Sequence, residues 1–203
     1  INAFKTATKI RFEGDCMTPN ENELYILNKD SALDVKLILN AETAIGANES
    51  AGELHDRLME LGSETVIETL ALLESGRVTT TIQKDNDEIK TAYKLNKENC
   101  KIDWNKSALD IHNLIRGLSP YPAAWSFISD KGEEWNVKIY QSNIIIEAHT
   151  LAVGQLVCTK KELKIAVRDG FIQIVSLQFP GKKKMNTAEF LNGIQFTADA
   201  KAY

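Results

Sequence analysis

No stretch of this 203-residue chain approaches the roughly 18 consecutive apolar residues that a membrane span needs. No signal-peptide pattern opens it either, so the sequence reads as a cytoplasmic protein without a membrane partner. Cysteines are few: Cys16, Cys100 and Cys158 lie far apart and form no Cys-x-x-Cys pair. That excludes a disulfide framework and a thiolate metal centre, and it fits reduced thiols. Positive charge is in deficit, with 24 Lys and Arg against 28 Asp and Glu, a net of −4. A protein that coats nucleic acid indiscriminately, DNA included, needs clustered cations. Any nucleic-acid site here must therefore be a local patch. The chain opens on Ile1 rather than Met, as a fragment would.

What is present is an ordinary globular composition. Hydrophobic residues make up 43%, enough for one sizeable core or two small ones. Residues 1–30 show no clear period, and residues 24–27 and 33–39 read as short strands. Ser50 and Glu53 form a capping box in which each satisfies a free N–H of a helix start. Leu54, Leu58 and Leu61 follow at helical spacing. Gly62 interrupts, Ser63 restarts a helix carrying Val66, Leu70 and Leu73 on one face, and Gly76 ends it. From Glu42 to Glu74 there are eight acids against one base, a net of −7, so this face would repel RNA. Residues 77–103 are polar and read as a short strand and a linker. Ser107 opens a third helix, with Asp110 in its first turn and Ile111, Leu114 and Ile115 inward. Pro120 and Pro122 forbid helix beyond it.

From Trp135 the period becomes two. Strands are expected over residues 135–140, 144–148, 154–158, 162–168 and 171–179, with Asp169-Gly170 as a hairpin turn. Such short antiparallel strands suggest a small OB-like barrel. A last short helix capped by Asn186 or Thr187 would flank it.

Several stretches occur in the order found in bacterial methionyl-tRNA formyltransferases. They are Glu42-Thr43-Ala44-Ile45, Ala51-Gly52-Glu53-Leu54-His55-Asp56-Arg57-Leu58, and Lys94-Leu95 with Ile102-Asp103-Trp104. Ile111-His112-Asn113-Leu114-Ile115-Arg116-Gly117-Leu118-Ser119-Pro120-Tyr121-Pro122 follows, then Ser176-Leu177-Gln178 and Pro180-Gly181-Lys182-Lys183-Lys184-Met185. The chain resembles the C-terminal half of that family. The resemblance implies an α+β fold: the end of a Rossmann-like formyltransferase catalytic domain over 31–76, a linker over 77–103 and an OB-like tRNA-binding barrel over 104–203, with 1–30 unassigned. It implies formylation of the methionyl amine of initiator tRNA, with 10-formyltetrahydrofolate as donor, bound by an N-terminal part. A monomer is expected. The alternatives are a non-catalytic tRNA-binding module, or a formyltransferase for a small amine such as an amino sugar.

Formyl transfer needs a group to orient the formyl carbonyl, a stabiliser for the oxyanion, and a base for the amine proton. The family's Asn-x-His and Ser-Leu-Leu-Pro motifs do not occur here. Leu33-Asp34-Val35 falls near the place of the family's Leu-Asp-Thr-Gly stretch, which makes Asp34 the candidate catalytic carboxylate; the alternative is a surface Asp. Between Lys160 and Lys184 the balance reverses: seven bases (Lys160, Lys161, Lys164, Arg168, Lys182, Lys183, Lys184) face two acids, a net of +5. These are the candidate phosphate contacts, and they favour RNA over a small amine; the alternative is solvated turn lysines. Arg116 could pair with phosphate or brace backbone carbonyls. Tyr121 and Trp125 could stack on bases or belong to the core, and Lys94, Lys97 and Lys101 are secondary phosphate candidates.

Overall fold

The structure is a computed structural model that describes residues 17–20, 23–26, 36–82, 92 and 94–203. In chain order the elements are β1 (Met17–Asn20), β2 (Glu23–Ile26), β3 (Lys36–Leu37), α1 (Ala51–Glu74), β4 (Thr81–Ile82), α2 (Ala108–Leu118) and β5 (Ala124–Asp130). There follow β6 (Glu133–Ile145), β7 (Leu156–Cys158), β8 (Leu163–Val167), β9 (Gly170–Gln178), β10 (Met185–Asn186), α3 (Thr187–Leu191) and β11 (Lys201–Ala202). The chain divides into two compact units, one including Ile45–Asp56 and Ala92–Tyr203, the other Lys5–Ala44 and Arg57–Thr91.

The second unit holds two antiparallel pairs, β1 with β2 and β3 with β4. Its helical stretch departs from expectation. α1 runs unbroken through Gly62. A mid-helix glycine costs only about 1 kcal/mol, and the Ser63 hydroxyl donates backwards to the Glu60 carbonyl instead of capping a new start. Met59, Val66, Ile67, Leu70 and Leu73 are each at least 50% exposed, and Leu54 is the one buried residue of α1. The guanidinium of Arg57 bonds Thr43 Oγ1 and the Ala44 carbonyl.

The first unit is the expected barrel, an antiparallel sheet in the order β11-β5-β6-β9-β8-β7, with β10 added to β9. It closes nearly completely. The Ala202 amide donates to Gly154 O at 2.8 Å and the Leu156 amide to Ala200 O at 3.0 Å. Gly154 has φ +85°, and a Cβ there would overlap the Ala202 carbonyl, so the seam admits only glycine. β5 was not among the expected strands. β6 is one strand rather than the two expected over 135–140 and 144–148, with a bulge at Gln141.

α2 is capped by Ser107, whose hydroxyl oxygen accepts from the Asp110 amide at 3.1 Å. The Asp169 carboxylate of the β8–β9 hairpin accepts from the Ala108 amide at 2.9 Å, which docks the helix start on the barrel. Ala108, Ile111, Ile115 and Leu118 recur at helical spacing and are buried. They meet Ile139, Leu163, Ile165, Ile172 and Leu177 in one core, each large side chain contributing about 1.5–3 kcal/mol on burial. The Ser50–Glu53 capping box is present, with the Ser50 amide donating to Glu53 Oε2 at 2.8 Å. Gly52 N bonds Ser119 O at 3.0 Å. No helix among the described residues is long and apolar enough to cross a membrane.

Candidate nucleic-acid interface

β5 is built with its polarity reversed. Ala124, Ser126, Ile128 and Asp130 face inward, while Trp125 and Phe127 face out. The inward polar groups are satisfied. Trp104 Nε1 donates to Ser126 Oγ at 2.8 Å. Asp130 accepts the Thr197 amide at 3.0 Å and the Thr197 hydroxyl. Those bonds hold the Asp130 carboxyl below the usual carboxylate range, hydroxyl donation being the largest cause.

Trp125 is pinned from several sides. Its amide donates to Cys100 O at 3.1 Å, its carbonyl accepts from the Ile102 amide at 2.8 Å, and its indole N–H donates to Lys97 O at 2.8 Å. Phe127 meets it edge-on, with ring centroids 5.2 Å apart. The Tyr203 ring lies 5.9 Å beyond Phe127, and its hydroxyl donates to Glu134. Two ammonium groups sit on this row. Lys97 Nζ is 5.4 Å from the Trp125 centroid, and Lys101 Nζ lies 5.3–5.8 Å from the centroids of Trp125, Phe127 and Tyr203.

Strand register carries the row across the sheet. Trp125 pairs with Lys138 and Lys138 with Gln178. Gln178 accepts from the Tyr140 hydroxyl at 2.8 Å and donates to Lys182 O at 2.9 Å. Lys184 Nζ sits 4.8 Å over the Tyr140 ring. Burial pushes the Tyr140 phenol above its ordinary value, so it stays neutral. A cavity of about 440 Å³ opens beside Trp125, with Lys97, Tyr121, Pro122, Asn136 and Lys138 on its walls.

The linear basic cluster is divided by the fold. Lys182, Lys183 and Lys184 are exposed on the turn that follows β9, adjoining the aromatic row. Lys160 and Lys161 are exposed on the β7–β8 turn, and Lys164 pairs with Glu162 at 3.8 Å. Arg168 lies at the far end of β9, whose nine residues place it about 25–30 Å from Lys182. Arg116 is engaged within the protein: Nε donates to Asn113 Oδ1 at 2.7 Å and Nη1 to Glu49 O at 3.1 Å. Tyr121 is 86% exposed. Asp34 lies outside the described residues.

None of the described histidines makes a buried pair with a carboxylate. His55 contacts Asp56 at 3.1 Å on an open surface. His112 is buried with Nδ1 3.1 Å from Ser142 Oγ, and its Nε2 has no hydrogen-bond partner among the described residues. Burial, then the Arg116 charge, holds its pKa below the ordinary imidazole value. His149 Nε2 lies 2.8 Å from Val167 O and 2.9 Å from Gly170 O, tying down the β8–β9 hairpin. Among the described residues no group of His, Cys, Asp and Glu could hold a metal ion.

The formyl transferase C-terminal domain model matches residues 94–195. Methionyl-tRNA formyltransferase of Flavobacterium johnsoniae is 63% identical over 167 residues, covering 82% of this chain and 53% of that protein. That of Bacteroides thetaiotaomicron is 42% identical over 167 residues, covering 80% and 52%. The chain thus spans about half the length of the curated relatives it matches. Among solved structures, a variant of HypX from Aquifex aeolicus superposes with TM-score 0.57 at 20% identity, over 86% of this chain and 32% of that one. That likeness concerns the fold.

Proposed function

This chain belongs to the formyl transferase C-terminal domain family, and from that premise we propose that it is the tRNA-holding half of a methionyl-tRNA formyltransferase. The whole enzyme would move a formyl group from 10-formyltetrahydrofolate to the amine of methionine on initiator tRNA. The reading rests on sequence identity to proteins of that name. The single structural observation that supports it is the exposed turn carrying Lys182, Lys183 and Lys184 beside an aromatic and lysine-bearing sheet face. In a chain of net charge −4, this is the local patch that phosphate binding requires.

The described residues do not fit a folate or acyl-transfer site. Their imidazoles and carboxylates form no enclosed pair, so no step of the transfer is assigned to them. Asp34 stays the candidate carboxylate. In this reading the donor and the remaining chemistry belong to the part of the relatives this chain does not span. Lys182, Lys183 and Lys184 neutralise phosphates and set tRNA position without reading bases. Lys160, Lys161 and Arg168 lie on other turns and serve a second stretch of backbone; Arg116 acts by bracing residues 46–49.

The test is binding of initiator tRNA across a salt series. Changing all three turn lysines to Ala should flatten the slope of log K against log salt by about 2–3, near 0.9 for each phosphate no longer neutralised. An unchanged slope removes the turn from the interface.

A further inference from the structure

We propose that the cavity beside Trp125 is a stacking site for one unpaired base of the bound RNA, distinct in role from the phosphate-binding lysine turn. The inference rests on the tRNA-holding reading and deepens it.

Three observations carry it. First, the platform is rigid and faces outward. Two backbone bonds hold the strand at this point and the indole N–H bond to Lys97 O fixes the Trp125 ring, which is half-buried, rests against the barrel core and also lines the cavity. Second, the charge beside it is of one sign. The cavity walls include Lys97 and Lys138 and no carboxylate, and Lys97 and Lys101 already rest against the ring. An ammonium on an aromatic face occupies the place a base would take; when the base stacks, the flexible lysine turns to the adjoining phosphate. Third, the volume suits one small planar group. About 440 Å³ falls in the range of pockets for small organic ligands. Tyr121, 86% exposed, supplies a second aromatic wall, and Asn136 offers an amide to a base edge.

A paired stem cannot use such a site, because its bases are already stacked. An unpaired nucleotide can, at any sequence, since every base has a π-face. The occupant is therefore a single-stranded or flipped-out position, while stems are held through phosphates.

The experiment measures binding of the full 203-residue chain to an unstructured oligoadenylate and to a blunt RNA duplex, with polyglutamate as a competitor control. Trp125→Leu should weaken oligoadenylate about tenfold or more, as expected for loss of one aromatic–base stack, and leave duplex binding within twofold. Trp125→Phe, which keeps a π-face, should restore most of the affinity. Tyr121→Ala, at a position too exposed to disturb folding, should weaken oligoadenylate several-fold. Oligoadenylate should quench the wild-type Trp emission, and the quench should vanish in Trp125→Phe, because Trp104 is buried and Trp135 lies elsewhere on β6. Equal losses on both RNAs, a quench that survives Trp125→Phe, or polyglutamate binding as tight as oligoadenylate overturns the stacking site. Duplex and tRNA binding that persist unaltered alongside such a result leave the tRNA-holding reading standing. A wild-type chain that binds no RNA at all removes both.

Discussion

Replacing Gly154 by Ala should open the barrel seam, and Gly181→Ala provides the internal standard. Both glycines have positive φ, +85° and +72°. Both substitutions therefore incur the left-handed backbone penalty, about 1–2 kcal/mol, and both recover a few tenths from the stiffer unfolded chain. They differ in surroundings. Nothing lies within 4 Å of a Cβ at Gly181, whereas at Gly154 it would overlap Ala202 O and lie 3.4 Å from the carbonyl carbon. Relief requires β11 to move away, which breaks the Ala202–Gly154 and Leu156–Ala200 hydrogen bonds, about 1 kcal/mol each. The expected loss is thus about 3–4 kcal/mol for Gly154→Ala and about 1–2 for Gly181→Ala. For a unit of this size each kcal/mol lowers Tm by roughly 3–5 °C. Urea unfolding followed by far-UV circular dichroism, at constant m, reads the difference directly. If the two variants fall within about half a kcal/mol of each other by that linear extrapolation, the seam does not depend on the close approach at residue 154.

Ser126→Ala leaves the buried Trp104 N–H without an acceptor and should cost about 1–3 kcal/mol, measured by the same urea titration. Arg116→Ala should raise amide hydrogen exchange at residues 46–54 severalfold while exchange in β8 and β9 stays unchanged; equal exchange in both regions would contradict the bracing role. His112 has its folded pKa depressed, so protonation favours the unfolded chain. Its contribution is intact above the ordinary imidazole value of about 6.5 and is lost as pH falls below it; His112→Asn should flatten the urea midpoint over that interval. Asp130 follows the same sign at lower pH. Its depressed pKa adds stability at neutral pH that disappears as pH falls through the carboxylate range, and Asp130→Asn should reduce that acid sensitivity.

Much of the barrel was legible in the sequence because its signals are local. The Ser50–Glu53 and Ser107–Asp110 caps and the Asp169-Gly170 hairpin each depend on residues a few positions apart. Apart from the helix break expected at Gly62, the misreadings arise where a distant partner changes the meaning of a residue. The polar Gln141-Ser142-Asn143 separates the two expected strands, but Ser142 meets His112 of α2 and the strand continues. β5 escapes notice because its buried side carries Ser126 and Asp130, whose partners Trp104 and Thr197 lie far away in sequence. Its aromatics then point outward, and the same inversion makes the candidate stacking face. The apolar spacing on α1 tells which residues share a side, not whether anything covers that side. The run of bases from Lys160 to Lys184 is real as composition, yet register distributes it over separate turns.

The seam also constrains how the barrel is made during synthesis. Its last bonds join residues 154–156 to residues 200–202, so a growing chain completes β5 through β9 before the segment that closes them has left the ribosome. For that interval β5 and β7 are open edges, the kind of backbone that pairs with whatever strand is near. Truncations between residues 192 and 200 should therefore be felt as aggregation rather than as loss of RNA affinity, because the lysine turn is already complete when the seam is not.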